Sequence, residues 1–197
     1  TPTACEGTTT LFKVDYFGKN VYLSQSGQLY LEALIYSLGR VYDFGPVFRA
    51  EKSKTRRHLT EFWMMDAEAA FLEHKENMVL QEEFIYFLIK EILKNCSKEL
   101  EILERDIVPL KKIKPPFPRI TYEEAIKILQ KKGSSIKWGD DFGADEEAIL
   151  SLQNDNPLFV EKYPSKIKAF YMKPDEENPE IVLNDDLLAP EGYGEII

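Results

Sequence analysis

Phe44-Gly45-Pro46-Val47-Phe48-Arg49-Ala50-Glu51 and, after a basic loop, Arg57-His58-Leu59-Thr60-Glu61-Phe62-Trp63 read as two strands joined by a charged connection. Side chains two apart on a strand share a face, so Arg49 and Glu51 are expected to point the same way, as are Phe62, Asp66 and Glu68 on the return strand. The opposite parity, Trp63, Met65, Ala67, Ala69 and Phe71, is apolar and is expected to be the core face. Any half-buried sheet alternates, and packing alone accounts for that parity. It does not account for a guanidinium, an aromatic ring and three carboxylates gathered on the other. Such a surface suits a ligand with anionic, planar and cationic parts: an arginine fork grips phosphate oxygens, a ring stacks on a base, and a carboxylate holds an ammonium.

ATP together with an amino acid is such a ligand, and the spaced run from Phe48 to Phe62 resembles motif 2 of the class II aminoacyl-tRNA synthetases, in their aspartyl and asparaginyl subgroup. The likeness extends along the chain. Thr1-Pro2-Thr3-Ala4-Cys5-Glu6-Gly7 resembles the segment after motif 1, where the family carries a mobile loop over the amino acid, and Ser24-Gln25-Ser26-Gly27-Gln28-Leu29-Tyr30-Leu31-Glu32 resembles the next block. Pro116-Phe117-Pro118-Arg119-Ile120-Thr121-Tyr122 and Lys168-Ala169-Phe170-Tyr171-Met172 are similar to the region between motifs 2 and 3. Asp186-Leu187-Leu188-Ala189-Pro190, running to Gly194-Glu195-Ile196-Ile197, resembles the strand that brings carboxylates to the ATP-bound metal. Most of motif 1, all of motif 3 and an anticodon-binding barrel have no counterpart. The resemblance therefore implies that residues 1–197 are part of one class II catalytic domain.

Composition is compatible with that reading. The chain has 197 residues, 44% of them hydrophobic and 12% aromatic, enough for one substantial core. A net charge of -9 argues against a generic polyanion binder, whose affinity comes from neutralising phosphates, but leaves room for local tRNA contacts. Cys5 and Cys96 lack metal-type spacing and read as reduced thiols of a cytoplasmic protein. No apolar run approaches the roughly 18 residues of a membrane span.

Periodicity supplies the elements. Residues 27–38 read as a helix stopped by Gly39, 41–51 and 60–71 as the hairpin strands, and 76–96 as a long helix packed through Leu80, Phe84, Phe87, Leu88 and Ile92. Thr121 and Glu124 form a capping box ahead of a helix closed by Gly133, and 145–152 is a further short helix. Residues 157–160, 169–173 and 181–183 are strand candidates. The sum is an α+β fold, an antiparallel sheet flanked by helices, as the resemblance also implies.

By that resemblance Arg49 contacts the ATP α-phosphate, where attack by an amino-acid carboxylate builds charge that a preplaced guanidinium stabilises. Glu51 faces the adenine amino group or a site water, Phe62 stacks on the ring, and Arg57 and His58 hold the γ-phosphate. Asp186 and Glu195 bind Mg2+, whose oxygen preference suits carboxylates completed by phosphate. Glu6, Ser24 and Gln28 are candidates for the substrate's ammonium and carboxylate region, and Asp66 for the selector of its side chain.

Aspartate-activating relatives resemble Ser-Pro-Gln-Leu-Tyr-Lys where this chain has Ser26-Gly27-Gln28-Leu29-Tyr30-Leu31. Without that lysine a buried aspartate side chain would be an uncompensated charge, so asparagine is the expected substrate. Asp66 is the aspartyl choice at its position and pulls the other way. The resemblance implies activation of asparagine with ATP, transfer to tRNA(Asn), and a homodimer in the full-length protein. An aspartate-activating synthetase, an ammonia-using asparagine synthetase and a noncatalytic binding fragment remain alternatives. Residues 1–197 alone, without the motif 3 arginine, are expected not to complete adenylate synthesis.

Overall fold

A computed structural model describes residues 10–52 and 59–197, and these fall into two compact units that divide between Leu72 and Glu73. In the first, β1 (Lys13–Tyr16) and β2 (Lys19–Tyr22) make an antiparallel hairpin. Phe17 and Gly18, at φ 49° and 75°, supply the two left-handed residues of its tight turn. Helix α1 (Gln28–Leu38) follows and ends at Gly39, whose φ of 74° and N–H bond to Ile35 O close it as expected. Strands β3 (Arg40–Phe48) and β4 (Glu61–Ala69) then pair antiparallel from Arg40↔Ala69 to Phe48↔Glu61.

The hairpin differs from expectation in two respects. Arg49 N still donates to Thr60 O at 3.0 Å, but Ala50 N turns away to Thr10 O at 2.9 Å, so the ladder ends before Glu51. The faces are also used differently. Val41, Asp43, Gly45 and Val47 lie opposite Glu68, Asp66, Met64 and Phe62, and this chemically loaded face, packed on α1, is the half-buried one. The apolar parity is open instead, with Phe44 and Trp63 each 64% exposed and their rings 5.2 Å apart. The N-terminus of α1 needs acceptors for its free N–H groups, and Asp66 provides one on that face.

In the second unit, α2 (His74–Asn95), α3 (Ser97–Ile102) and α4 (Ile107–Lys112) precede β5 (Arg119–Thr121). Then come α5 (Tyr122–Lys131), α6 (Ala144–Ser151), β6 (Leu158–Glu161), a 3-10 turn (Ser165–Ile167), β7 (Asp185–Ala189) and β8 (Gly194–Glu195). The capping box before α5 forms as read: Glu124 N donates to Thr121 Oγ1, and Thr121 N to the Glu124 carboxylate. The sheet order is β5-β6-β7-β8. Its first pair is parallel, unlike the antiparallel expectation, because the α5–α6 connection returns the chain to the same end. The candidate strand 169–173 is a turn, and 181–183 makes only isolated bridges.

Leu158, Phe159 and Val160 of β6 are all buried, so both sheet faces are covered. Leu158, Val160 and Leu188 pack with Tyr122, Leu129 and Leu150 of α5 and α6, while Phe159 and Leu187 pack with Met78 of α2 and Phe117. The stripe of α2 that meets this second core is Met78, Glu82, Ile85 and Ile89, not the predicted one; Leu80, Phe87 and Ile92 stand 40%, 58% and 40% exposed. A helix with two apolar stripes does not disclose by period which one the core takes.

Glu82 sits on that stripe for a reason. It is buried and accepts the Phe117 N–H at 2.5 Å, tying the loop before β5 to α2. Glu82→Ala leaves that buried donor without a partner, a loss of about 1–3 kcal/mol. Thermal unfolding should show a drop of several degrees, with Glu82→Gln recovering part of it; unchanged midpoints would show the bond to be dispensable.

Candidate active site

Within the first unit the side chains converge on the face under α1. Asp66 Oδ2 accepts from Ser26 Oγ and from Gly27 N, both at 2.9 Å. Ser26 Oγ also accepts from Gln28 N at 3.0 Å, Ser24 Oγ donates to Ser26 O at 3.2 Å, and Gln28 Nε2 donates to Glu32 Oε1 at 2.9 Å. Ser24, Gln28 and Asp66, named from the sequence, are thus joined in one network, and Ser26 is its hub. The backbone comes so close here that a Cβ at Gly27 would lie 1.5 Å from Asp43 Oδ2. Leu31, in the position of the lysine, is 4% exposed.

The same face is strongly acidic. Burial, reinforced by Glu32 and then Asp66, pushes the Glu68 carboxyl above its ordinary range. An acid raised on folding binds more protons folded than unfolded, so stability falls as pH rises from the unfolded pKa through the folded one. Glu68→Gln should therefore unfold later than the parent at neutral pH and lose that advantage at pH below the ordinary carboxylate range. A constant difference across pH would contradict this account. Solvent screens the half-buried group, which keeps the effect modest.

Arg49 leaves β3 on this face. Its guanidinium lies 5.2 Å from the Phe62 ring centroid and Nη2 is 3.7 Å from Met64 Sδ, while Nε is buried with no hydrogen-bond partner among the described residues. A buried donor of that kind is costly unless a ligand acceptor satisfies it. Glu51 is exposed beyond the strand end, so the parity argument does not place it with Arg49. Glu6, Arg57 and His58 lie outside the described residues.

The second unit holds the other carboxylates. Asp186 on β7 and Glu195 on β8 share a face, because Glu195 pairs with Leu188, two residues from Asp186. Lys168 Nζ donates to both Asp186 oxygens at 3.1 Å and lies 4.1 Å from the Tyr163 ring centroid. Burial raises the Asp186 carboxyl although Lys168 pulls it down, and burial, Asp186 and Glu147 push Glu195 up to about 7. Glu195 N donates to Glu147 Oε2 at 3.0 Å. Among the described residues no group of three or more His, Cys, Asp or Glu could hold a metal ion by itself. Two neighbouring carboxylates with excess negative charge do fit Mg2+ as a partial shell, to be completed by phosphate oxygens and water. Sequence reasoning missed Glu147 and Tyr163 here, which carry no spacing signal, and quoted Lys168 without a role.

The chain belongs to the class II tRNA synthetases (D, K and N), whose family pattern matches residues 1–197. It is 60% identical over 197 residues to the asparagine--tRNA ligase of Pelotomaculum thermopropionicum, covering 100% of this chain and 46% of that protein. The Desulforamulus reducens asparagine--tRNA ligase is 58% identical with the same coverage. The crystal structure of asparaginyl-tRNA synthetase from Pyrococcus horikoshii complexed with asparaginyl-adenylate superposes with a TM-score of 0.92 at 54% identity, covering 98% of this chain and 44% of that one. Entamoeba histolytica asparaginyl-tRNA synthetase gives 0.85 at 34%, over 95% and 43%. The chain therefore spans less than half the length of the curated relatives it matches. No helix among the described residues is long and apolar enough to cross a membrane.

Proposed function

We propose that the chain is part of the catalytic domain of a class II synthetase that activates asparagine with ATP and transfers it to tRNA(Asn), working as a homodimer in the cytoplasm. The observation that carries this reading is Arg49, whose buried Nε has no acceptor among the described residues while its guanidinium is seated on Phe62. In the first step the asparagine α-carboxylate attacks the α-phosphorus, an adenylate forms and pyrophosphate leaves. The nucleophile is already ionised, so no general base is required; positioning and charge stabilisation carry the rate.

Arg49 neutralises the charge that grows on the α-phosphate oxygens, with Phe62 under the adenine and Glu51 toward its amino group. Arg57 and His58 hold the γ-phosphate. Ser24, Gln28 and Glu6 position the amino acid, and the acidic face around Asp66 and Glu68 attracts its ammonium. Asp66 offers a carboxylate acceptor to the amide N–H groups of asparagine, and the buried Leu31 offers aspartate no cation. Asp186 and Glu195 would hold Mg2+, which supplies neutralisation of the triphosphate. Asparagine-dependent ATP–pyrophosphate exchange by the full-length protein tests the reading, and exchange that ignores asparagine would overturn it.

A further inference from the structure

Lys168 is placed in a way that the proposed reaction does not use. Its ammonium bonds both oxygens of Asp186 at 3.1 Å, and the Tyr163 ring lies 4.1 Å away. Tyr163 is fully buried, Lys168 and Asp186 are 19% and 17% exposed, and β7 fixes the carboxylate from behind. A cation held between a carboxylate and an aromatic face is confined on both sides. The neighbouring Lys162 is committed elsewhere, to Asp175 at 3.1 Å. Lys168 is accordingly the cation that the structure sets against the Asp186 carboxylate.

We infer that Lys168 is a placeholder cation: paired with both Asp186 oxygens, it keeps the Asp186–Glu195 pair from taking a divalent cation until a polyphosphate arrives with it. The inference rests on the assignment of those two carboxylates as metal ligands. Both Asp186 oxygens already face a positive charge, so a bare divalent ion must either displace the ammonium or sit beside it. Each alternative opposes binding electrostatically in a partly buried site. A triphosphate removes the opposition, since its own oxygens neutralise the added charge and complete the shell. Metal and nucleotide then bind with positive coupling, and Lys168 sets its size.

The test measures Mn2+ binding to the full-length protein by the loss of free-ion electron paramagnetic resonance signal, with and without a nonhydrolysable ATP analogue. Lys168→Met should bind Mn2+ alone about tenfold or more tightly than the parent, and gain correspondingly less from the analogue. Lys168→Gln also removes the charge, while keeping a polar, shorter side chain that can donate, so it should behave the same way; it also serves if the methionine variant folds poorly. Lys166→Met, the same charge change on an exposed neighbour, should leave both affinities as they are. If parent and Lys168 variants bind Mn2+ alone equally while all take it with the analogue, the placeholder role is overturned and the metal assignment stands. If none takes Mn2+ even with the analogue, the metal assignment itself fails, and the inference with it.

Discussion

Arg49→Ala in the full-length protein should lower asparagine-dependent pyrophosphate exchange by about a thousandfold or more while leaving the fold intact. Removing a single preorganised donor to a developing oxyanion commonly costs about 100-fold to 1000-fold, and a guanidinium presents several donors. The fold should survive because the described contacts of Arg49 are weak: a 3.7 Å approach to Met64 Sδ and a ring contact with Phe62. Its backbone bond to Thr60 is independent of the side chain. Arg49→Lys should rescue poorly, since an ammonium lacks the planar fork. Circular dichroism and thermal unfolding of the variant check the fold, and near-normal exchange by a well-folded protein would remove Arg49 from the mechanism.

The second large effect concerns the amino acid. Asparagine should be preferred over aspartate by several orders of magnitude in kcat/KM, about 10,000-fold where a site rejects a substrate that leaves buried polar groups unmatched. Asp66, Glu68 and Glu32 already crowd one face with carboxylates, to the point that Glu68 is pushed up. A further carboxylate from aspartate would add to that repulsion with Leu31 where a lysine would answer it. Exchange assays with each amino acid measure the ratio directly. Comparable efficiencies would move the protein to the aspartate-activating branch, in line with the identity of Asp66.

Asp66 also shows where sequence reasoning stops short. Its type and parity marked it as a ligand-facing residue, yet the structure gives it a second task, accepting from Ser26 and Gly27 at the entrance to α1. Acting as a cap fixes the carboxylate before any substrate is present, which is what a selector requires. Nothing in the spacing of Ser26 and Asp66, 40 residues apart, announces that bond. Lys168 and Asp186 are the same case: both lay in recognised blocks, but their pairing depends on how the turn after β6 returns to β7.

The sequence determined what is local. Hairpin strands follow from alternation, α1 from a glycine stop at Gly39, and α5 from the Thr121–Glu124 box, because each signal lies within a few residues of the element it governs. It also determined the chemistry available, since the spaced residues around Arg49 and the Asp186 to Glu195 segment carry their side-chain types wherever they fold. Only the tertiary structure decided which surface each element uses. The apolar parity of β4 is open and the charged parity half-buried, α2 turns Met78 and Glu82 inward rather than Leu80 and Phe87, and β5 runs parallel to β6. Two of those outcomes turn on partners distant in sequence: a donor on Phe117 for Glu82, and a return path through α5 and α6. Periodicity states that a helix or strand has two faces, and the choice between them is made by long-range hydrogen bonding and packing that no short window of sequence contains.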